Sequence, residues 1–217
     1  MIRLNLVDDE ALIRAGLAAL INAEDDMEVT GQAADGADVP DLVRRTRPDI
    51  ILMDVRMPGL DGIQATHTLQ RNPDPPRVIV VTTFDNDDHV WDALRAGAHG
   101  FLLKRTRPED ILSAIRLVHR GDTLLFPTAL RQMAAARTPA PTPAAQAVAT
   151  LTEREAQTLT LMAQGLTNAE IAAHLHLGLQ TIKTHVSNTL TKLGVRDRTQ
   201  AVIAAYDSGL IQPARPT

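Results

Sequence analysis

The stretch Asp49-Ile-Ile-Leu-Met-Asp54-Val-Arg-Met-Pro-Gly-Leu-Asp-Gly62 decides the fold. It opens with a short apolar run, the signature of a strand buried on both faces of a parallel sheet. An acid, Asp54, ends that run, and a Pro-Gly turn follows. Open α/β sheets hold their ligands at the carboxyl ends of their strands. Asp54 therefore stands where chemistry is expected.

Working outward, four more runs read as strands, giving Arg3 to Val7, Glu28 to Ala33, Asp49 to Asp54, Val78 to Thr82 and Gly100 to Leu103. Helical patterns separate or follow them near Ala11 to Asn22, Val39 to Arg47, Ile63 to Gln70, Asp87 to Ala96 and Arg107 to Arg120. This alternation predicts βα units and an α/β doubly wound, five-stranded parallel sheet in flavodoxin-like order. The pattern ends near Gly121, so residues 1–121 form the first predicted domain.

A short helical piece from Pro127 to about Arg137 leads into Thr138-Pro-Ala-Pro-Thr-Pro143 and an alanine-rich stretch to Ala149. Residues 122–149 read as a proline-stiffened linker. Residues 150–217 read as a small all-α domain of four helices, near Glu153 to Gln164, Asn168 to His174, Leu179 to Leu193 and Arg198 to Ser208. Thr152-Glu-Arg-Glu155, Thr167-Asn-Ala-Glu170 and Asp197-Arg-Thr-Gln200 each pair a capping oxygen with a side chain able to return the bond. Gly165 and Gly194 stand where left-handed C-caps are expected.

Composition narrows the function classes. The 217 residues include no cysteine, which excludes disulfides and thiolate metal sites and fits a reducing compartment. The N-terminus lacks a signal-peptide pattern and no apolar run approaches the ~18 residues of a membrane span, so a cytoplasmic protein without a membrane partner is expected. The formal charge of −4 is unevenly spread. Residues 1–130 hold fourteen Lys and Arg against twenty-one Asp and Glu, whereas residues 131–217 hold eight against five. The second half is thus the candidate for a polyanionic partner.

Asp8 and Asp9 end the first strand, Thr82 the fourth, and Lys104 the fifth. All join Asp54 at one edge of the sheet. Asp9 and Asp54, beside Asp8 and with the backbone carbonyl of Arg56, offer an oxygen-only site suited to Mg²⁺, which would relieve the repulsion among clustered carboxylates. A cation also offsets repulsion between a carboxylate nucleophile and a phosphoryl group. Asp54 is then the nucleophile, with Lys104 and the Thr82 hydroxyl each on a phosphoryl oxygen. Taken singly, Asp8 and Asp9 could be a helix cap, Thr82 a strand threonine and Lys104 a solvated lysine. Their arrival in order from four strands favours the joint role.

With these motifs, residues 1 to about 121 resemble the receiver domain of a two-component response regulator. The matching segments are Val7-Asp8-Asp9, Leu52-Met-Asp54-Val-Arg-Met-Pro58-Gly, Val80-Val-Thr82-Thr and Gly100-Phe-Leu-Leu-Lys104. The resemblance implies phosphotransfer from a sensor histidine kinase to Asp54, with Mg²⁺ required. It also implies a switch in which Thr82 turns toward the phosphoryl group and Phe101 moves inward, although Phe101 alone also reads as a core residue. Proline follows the lysine in many receivers; here Arg105 does.

Residues 150–211 resemble the LuxR-type helix-turn-helix, through Leu151-Thr-Glu-Arg-Glu155, Gly165-Leu-Thr-Asn-Ala-Glu-Ile-Ala172, Thr181-Ile-Lys-Thr-His-Val186 and Lys192-Leu-Gly-Val195. Together the two halves look like the NarL/FixJ family of transcriptional regulators. Independently of that, Ile182, Val186, Leu190 and Leu193 recur at helical spacing and should face the core. The other side carries Gln180, Thr184, Ser187, Asn188 and Thr191, with Lys183 at its edge, a set able to enter a major groove. Family resemblance places DNA contacts on Lys183, Thr184 and Ser187, and the predicted DNA-binding set is Thr181, Lys183, Thr184, Ser187, Asn188, Thr191 and Lys192. Gly178 and Leu179 depart from the serine cap and acidic first residue usual in relatives. Ala201, Val202 and Ala205 form a small-residue face that the resemblance assigns to a homodimer on promoter DNA; internal packing is the other reading. His174 and His176 lack carboxylate or cysteine company, His185 holds the position usual for a histidine in relatives, and all seven histidines read as non-metal residues.

The expected function is therefore a response regulator that is phosphorylated on Asp54, dimerises and binds double-stranded promoter DNA, and that is no enzyme beyond its own phosphotransfer and dephosphorylation. A phosphatase of the haloacid dehalogenase type would carry a second aspartate where Arg56 stands. A regulator that binds DNA without phosphorylation is the alternative.

Overall fold

The computed structural model describes residues 1–83, 88–121, 127–135 and 142–212. It divides into two compact units, Met1–His119 and Arg120–Thr217. In the first, β1 (Ile2–Val7), β2 (Met27–Ala33), β3 (Ile50–Asp54), β4 (Arg77–Thr82) and β5 (Gly100–Leu103) form one parallel sheet in the order β2-β1-β3-β4-β5. Every residue of the central strand β3 is buried. That requires cover on both faces, and the sequence provides it: α1 (Ala11–Asn22), α2 (Val39–Thr46), α3 (Gly62–Leu69), α4 (Asp88–Arg95) and α5 (Pro108–Arg120) separate and follow the strands. The predicted doubly wound fold is the one observed.

Register decides which side chains meet. Asp54 pairs with Val81, and Thr82 with Leu103, so the ends of β3, β4 and β5 step past one another at a single edge. The Lys104 N–H donates to the Thr82 carbonyl at 2.7 Å, extending that alignment by one residue. Beyond β5 a turn brings Thr106 back, its Oγ1 accepting from the Leu103 N–H at 3.2 Å. At the flank of the unit, Arg116 of α5 bonds Glu24 and Asp26, which lie between α1 and β2, at 2.7 and 2.6 Å.

The second unit contains α6 (Pro127–Ala135), α7 (Pro143–Ala147), α8 (Glu153–Ala163), α9 (Asn168–Leu175), α10 (Leu179–Leu193) and α11 (Arg198–Asp207). Thr152 with Glu155, and Thr167 with Glu170, make complete capping boxes, and Asp197 accepts from the Gln200 N–H at 2.9 Å. Gly165 and Gly194 have φ of 91° and 66°, the left-handed conformation that ends a helix most easily at glycine.

One expectation is overturned. Residues 143–149 are not linker: α7 and a 3-10 turn over Val148–Thr150 fold into the second unit, and α7 packs on α10 and α11. Thr142 caps α7 by accepting from the Ala145 N–H at 3.0 Å, Pro143 suits its first turn, and alanine is the strongest helix former. Helix α6 belongs to the same unit. The stretch from Thr138 to Pro141, and the predicted end of α6 near Arg137, lie outside the described residues.

Arg198 fastens the helical unit from within. Its guanidinium is buried and donates to the Leu166 and Met162 carbonyls and to Asn168. It thereby ties the start of α11 to the end of α8 and the turn into α9.

Candidate functional site

The strand edge gathers three carboxylates around one ammonium. Lys104 Nζ lies 2.8 Å from Asp54 Oδ2, 2.9 Å from Asp8 Oδ2 and 2.7 Å from Glu10 Oε1. The Asp8 and Asp54 side chains are 4% and 7% exposed, that of Glu10 58%. Asp54 Oδ1 accepts from the Arg56 N–H at 3.2 Å, which keeps the residue after next folded against the pocket. Thr82 is buried at the end of the neighbouring strand. Phe101 is buried in the core of β5, one strand further on.

Local packing explains why this edge can form. Gly62 opens α3 directly behind Asp54, and a Cβ there would lie 2.0 Å from the Asp54 carbonyl oxygen. Only glycine allows that approach. Asp61 caps the same helix by accepting from the Gln64 N–H at 2.7 Å.

The expected cation set is altered in one member. Asp9 is exposed and outside the cluster, and Glu10 stands in its place. After β1 the chain bends: Asp8 turns inward and its Oδ1 accepts the Glu10 N–H at 2.8 Å, which leaves Asp9 facing outward. The carboxylate oxygens of Asp8, Glu10 and Asp54 lie within 4.8 Å of one another. Asp8 Oδ2 is buried and, although close to Lys104, lacks an aligned hydrogen bond. Such an all-oxygen set with spare acceptor capacity fits a hard divalent cation such as Mg²⁺.

The electrostatics are those of a strained pocket. Burial pushes the Asp54 carboxyl above its ordinary value, Asp8 adds to the rise, and the bonds from Lys104 and the Arg56 N–H oppose it without cancelling it. Burial by itself would depress the Lys104 ammonium, but the Asp54, Glu10 and Asp8 carboxylates around it raise it well above the usual lysine range. A carboxyl whose folded-state pKa is raised costs stability once it is charged, and the cost vanishes below its unfolded pKa. Asp54→Asn is therefore expected to raise the thermal midpoint at pH 7 without added divalent cation. The gain should shrink as the pH falls toward about 4, the ordinary aspartate value, and scanning calorimetry across that window checks it.

On the helical unit, α10 follows the predicted pattern. Ile182 and Leu193 are buried, and Val186 and Leu190 partly so. Thr181, Lys183, Thr184, Ser187, Asn188 and Thr191 are exposed. Thr184 and Thr191 donate their hydroxyl protons to the carbonyls of Gln180 and Ser187, both at 3.0 Å, so each presents acceptor lone pairs outward. Gly178 is the N-cap, with no side-chain bond to the helix, and Leu179 is 46% exposed in the first turn. Thr189, absent from the sequence reading, is buried, its hydroxyl bonded to the His185 carbonyl at 2.8 Å.

Two predicted roles do not survive. Lys192 is not a free cation on the polar face: its Nζ lies 2.6 Å from Glu155 Oε2, a carboxylate 5% exposed. Burial would raise the Glu155 carboxyl, but bonds from Lys192 and Thr152 outweigh it and hold it below its ordinary value. Ala201, Val202 and Ala205 are fully buried. Helix α11 packs against α7, α8 and α10, so this small-residue face serves the interior of the unit rather than a partner copy.

Comparison with known proteins agrees with both halves. Residues 4–116 match the model for the response regulator receiver domain, and residues 149–205 that for bacterial regulatory proteins of the luxR family. The uncharacterized transcriptional regulatory protein YxjL of Bacillus subtilis is 40% identical over 213 residues, covering 97% of this chain and 98% of the relative. The transcriptional regulatory protein LiaR of the same species is 40% identical over 211 residues, covering 97% and 100%. The response regulator protein VraR of Staphylococcus aureus is 38% identical over 211 residues, covering 97% and 99%. Among solved structures, the response regulator ChrA of a heme-sensing two-component system aligns over 97% of this chain and 98% of its own, at 33% identity and a TM-score of 0.53.

Proposed function

Because the chain belongs to the response regulators that join a receiver domain to a LuxR-type DNA-binding domain, we propose that Asp54 accepts a phosphoryl group from a sensor histidine kinase and thereby controls promoter binding. The observation that carries this reading is the buried Asp54 carboxylate at the strand edge, with the Lys104 ammonium at 2.8 Å and Thr82 buried at the end of the next strand.

In this reading an Asp54 oxygen attacks phosphorus, the P–N bond of the phosphohistidine breaks, and its electron pair stays with the imidazole. Lys104 pairs with one phosphoryl oxygen and the Thr82 hydroxyl donates to another. Asp8 and Asp54, with Glu10 at the rim, would hold Mg²⁺, which supplies charge neutralisation around the transferring group. Phe101 and Thr82 carry the change outward, since a new charge biases a packing arrangement with two states. The protein is no enzyme beyond forming and losing its own aspartyl phosphate. It acts in the cytoplasm; among the described residues no helix is long and apolar enough to cross a membrane.

Output follows from α10. Lys183, Thr184, Ser187 and Asn188 read a major groove of double-stranded promoter DNA, while Thr181 and Thr191 flank them, and phosphorylation favours the homodimer that binds two half-sites. The test is mass spectrometry and gel shift of the full chain with a small phosphodonor and Mg²⁺. A base-labile adduct at Asp54 together with tighter DNA binding is expected; no adduct, or the same affinity with and without it, refutes the reading.

The first turn of α10 gives a further expected result. Leu179→Glu places a negative charge at the positive end of a helix, worth ~0.3–1 kcal/mol of stability. The same charge would repel a DNA phosphate. The variant should therefore melt slightly higher while binding DNA about two- to fivefold more weakly, as calorimetry and a fluorescence anisotropy titration over a salt series would show.

A further inference from the structure

Glu10 stands at the rim of the acidic pocket, where it faces Lys104 as well as the cation set, and its placement is unusual. It is the N-cap residue of α1, yet its side chain makes no capping bond. The carboxylate instead reaches across the sheet edge to Lys104, ninety-four residues away, at 2.7 Å. An ammonium has three N–H donors, and here three carboxylates stand around it within 2.9 Å. Glu10 and Asp54 each accept a hydrogen bond from it while Asp8 stands close without an aligned one, so a phosphoryl oxygen on Asp54 gains Lys104 most fully when a neighbouring carboxylate yields. Asp8 is buried, its other oxygen engaged by the Glu10 N–H. Asp54 carries the phosphoryl group itself. Glu10, at 58% side-chain exposure, can turn into water at little cost.

Building on Asp54 as the phosphoacceptor, we propose that Glu10 is a positioning residue that holds Lys104 in reserve and acts as a brake on phosphorylation. With acetyl phosphate as donor, an Asp54 oxygen bonds to phosphorus and the P–O bond to the acetyl group breaks. Acetate leaves with the electron pair, and no proton is transferred. During that step the Lys104 donor held by Glu10 passes to a phosphoryl oxygen, while the Glu10 charge resists the approach of the dianion until it swings out. Because Glu10 caps nothing with its side chain, replacing it leaves α1 intact.

The experiment uses the full chain as wild type, Glu10→Gln, Glu10→Ala and Asp54→Asn. Labelling by acetyl phosphate is followed by intact mass, with Mg²⁺ saturating for each variant as set by calorimetry. Titration with beryllofluoride, an unreactive phosphoryl mimic, runs alongside. Glu10→Ala should label about three- to fivefold faster, the weight of one exposed ion pair, and bind beryllofluoride more tightly by a similar factor. Glu10→Gln, which keeps an oxygen acceptor for Lys104 without the charge, should fall between. Equal or slower labelling in both variants, or unchanged beryllofluoride affinity, overturns the brake. Absence of labelling in the wild type overturns the phosphoacceptor reading instead.

Discussion

Asp54→Asn is expected to abolish the base-labile adduct formed with acetyl phosphate and Mg²⁺, and with it every phosphodonor-dependent gain in DNA affinity. The amide keeps the shape and burial of the side chain but offers no nucleophilic oxygen, so the loss should be complete. For the wild type, coupling between two sites of one protein ordinarily amounts to a change of about 5- to 150-fold, and the gain should fall in that range. Thr82→Ala separates chemistry from output. It retains Asp54 and Lys104, so the adduct should still form, while the affinity gain declines because the buried hydroxyl at the end of β4 no longer meets the phosphoryl group. Intact mass and gel shift on the same samples check both variants. A wild-type affinity gain that persists in Asp54→Asn would remove the aspartate from the control of DNA binding.

The second large effect concerns stability. Lys192→Ala leaves Glu155, 5% exposed, without its cationic partner. Stripping one partner from a buried pair costs ~3–5 kcal/mol; the lysine is itself 36% exposed, which reduces the loss to roughly 2 kcal/mol. In a unit of this size that lowers the thermal midpoint by roughly 10 °C. The salt dependence of DNA binding should stay the same, because the ammonium is committed to the protein. A lysine that held a DNA phosphate would do the reverse, leaving the midpoint in place and reducing the slope of log K against log salt by about 0.9. The Glu155 carboxyl is held below its ordinary value, so its contribution is present at neutral pH and lost as the pH falls through the folded-state pKa. The penalty of Lys192→Ala should therefore be largest near pH 7 and fade in acid.

These two results rest on different kinds of residue, and the sequence revealed them unequally. Asp54, Thr82 and Lys104 were legible because each ends an apolar run, and a parallel sheet brings such ends to one edge whatever the helices between them do. The capping boxes of α8 and α9 were legible because their chemistry is local, spanning three residues. Lys192 and Glu155 are thirty-seven residues apart, and nothing local to either indicates that α8 and α10 bring them together. Glu10 is not legible in the sequence for a related reason: Asp8 and Asp9 read as a pair, and only the bend after β1 shows that the inward positions are Asp8 and Glu10. Ala201, Val202 and Ala205 gave a face without an occupant, since small side chains mark close packing but not what packs there. Helix α7 was hidden by its neighbours, because the prolines before it suit a spacer as well as a helix start.

That last feature bears on how such proteins can be recombined. The unit that includes α10 starts at Arg120 and takes in α6 and α7. A hybrid regulator spliced at residue 149, where the recognisable helix-turn-helix pattern begins, would give the grafted output module another protein's residues in place of Pro143–Ala147. Those residues lie against α10 and α11, so the junction would fall inside a packed interface. A crossover at 120 or 121 keeps the interface within one parent, and helical units exchanged there should retain the melting behaviour of the donor.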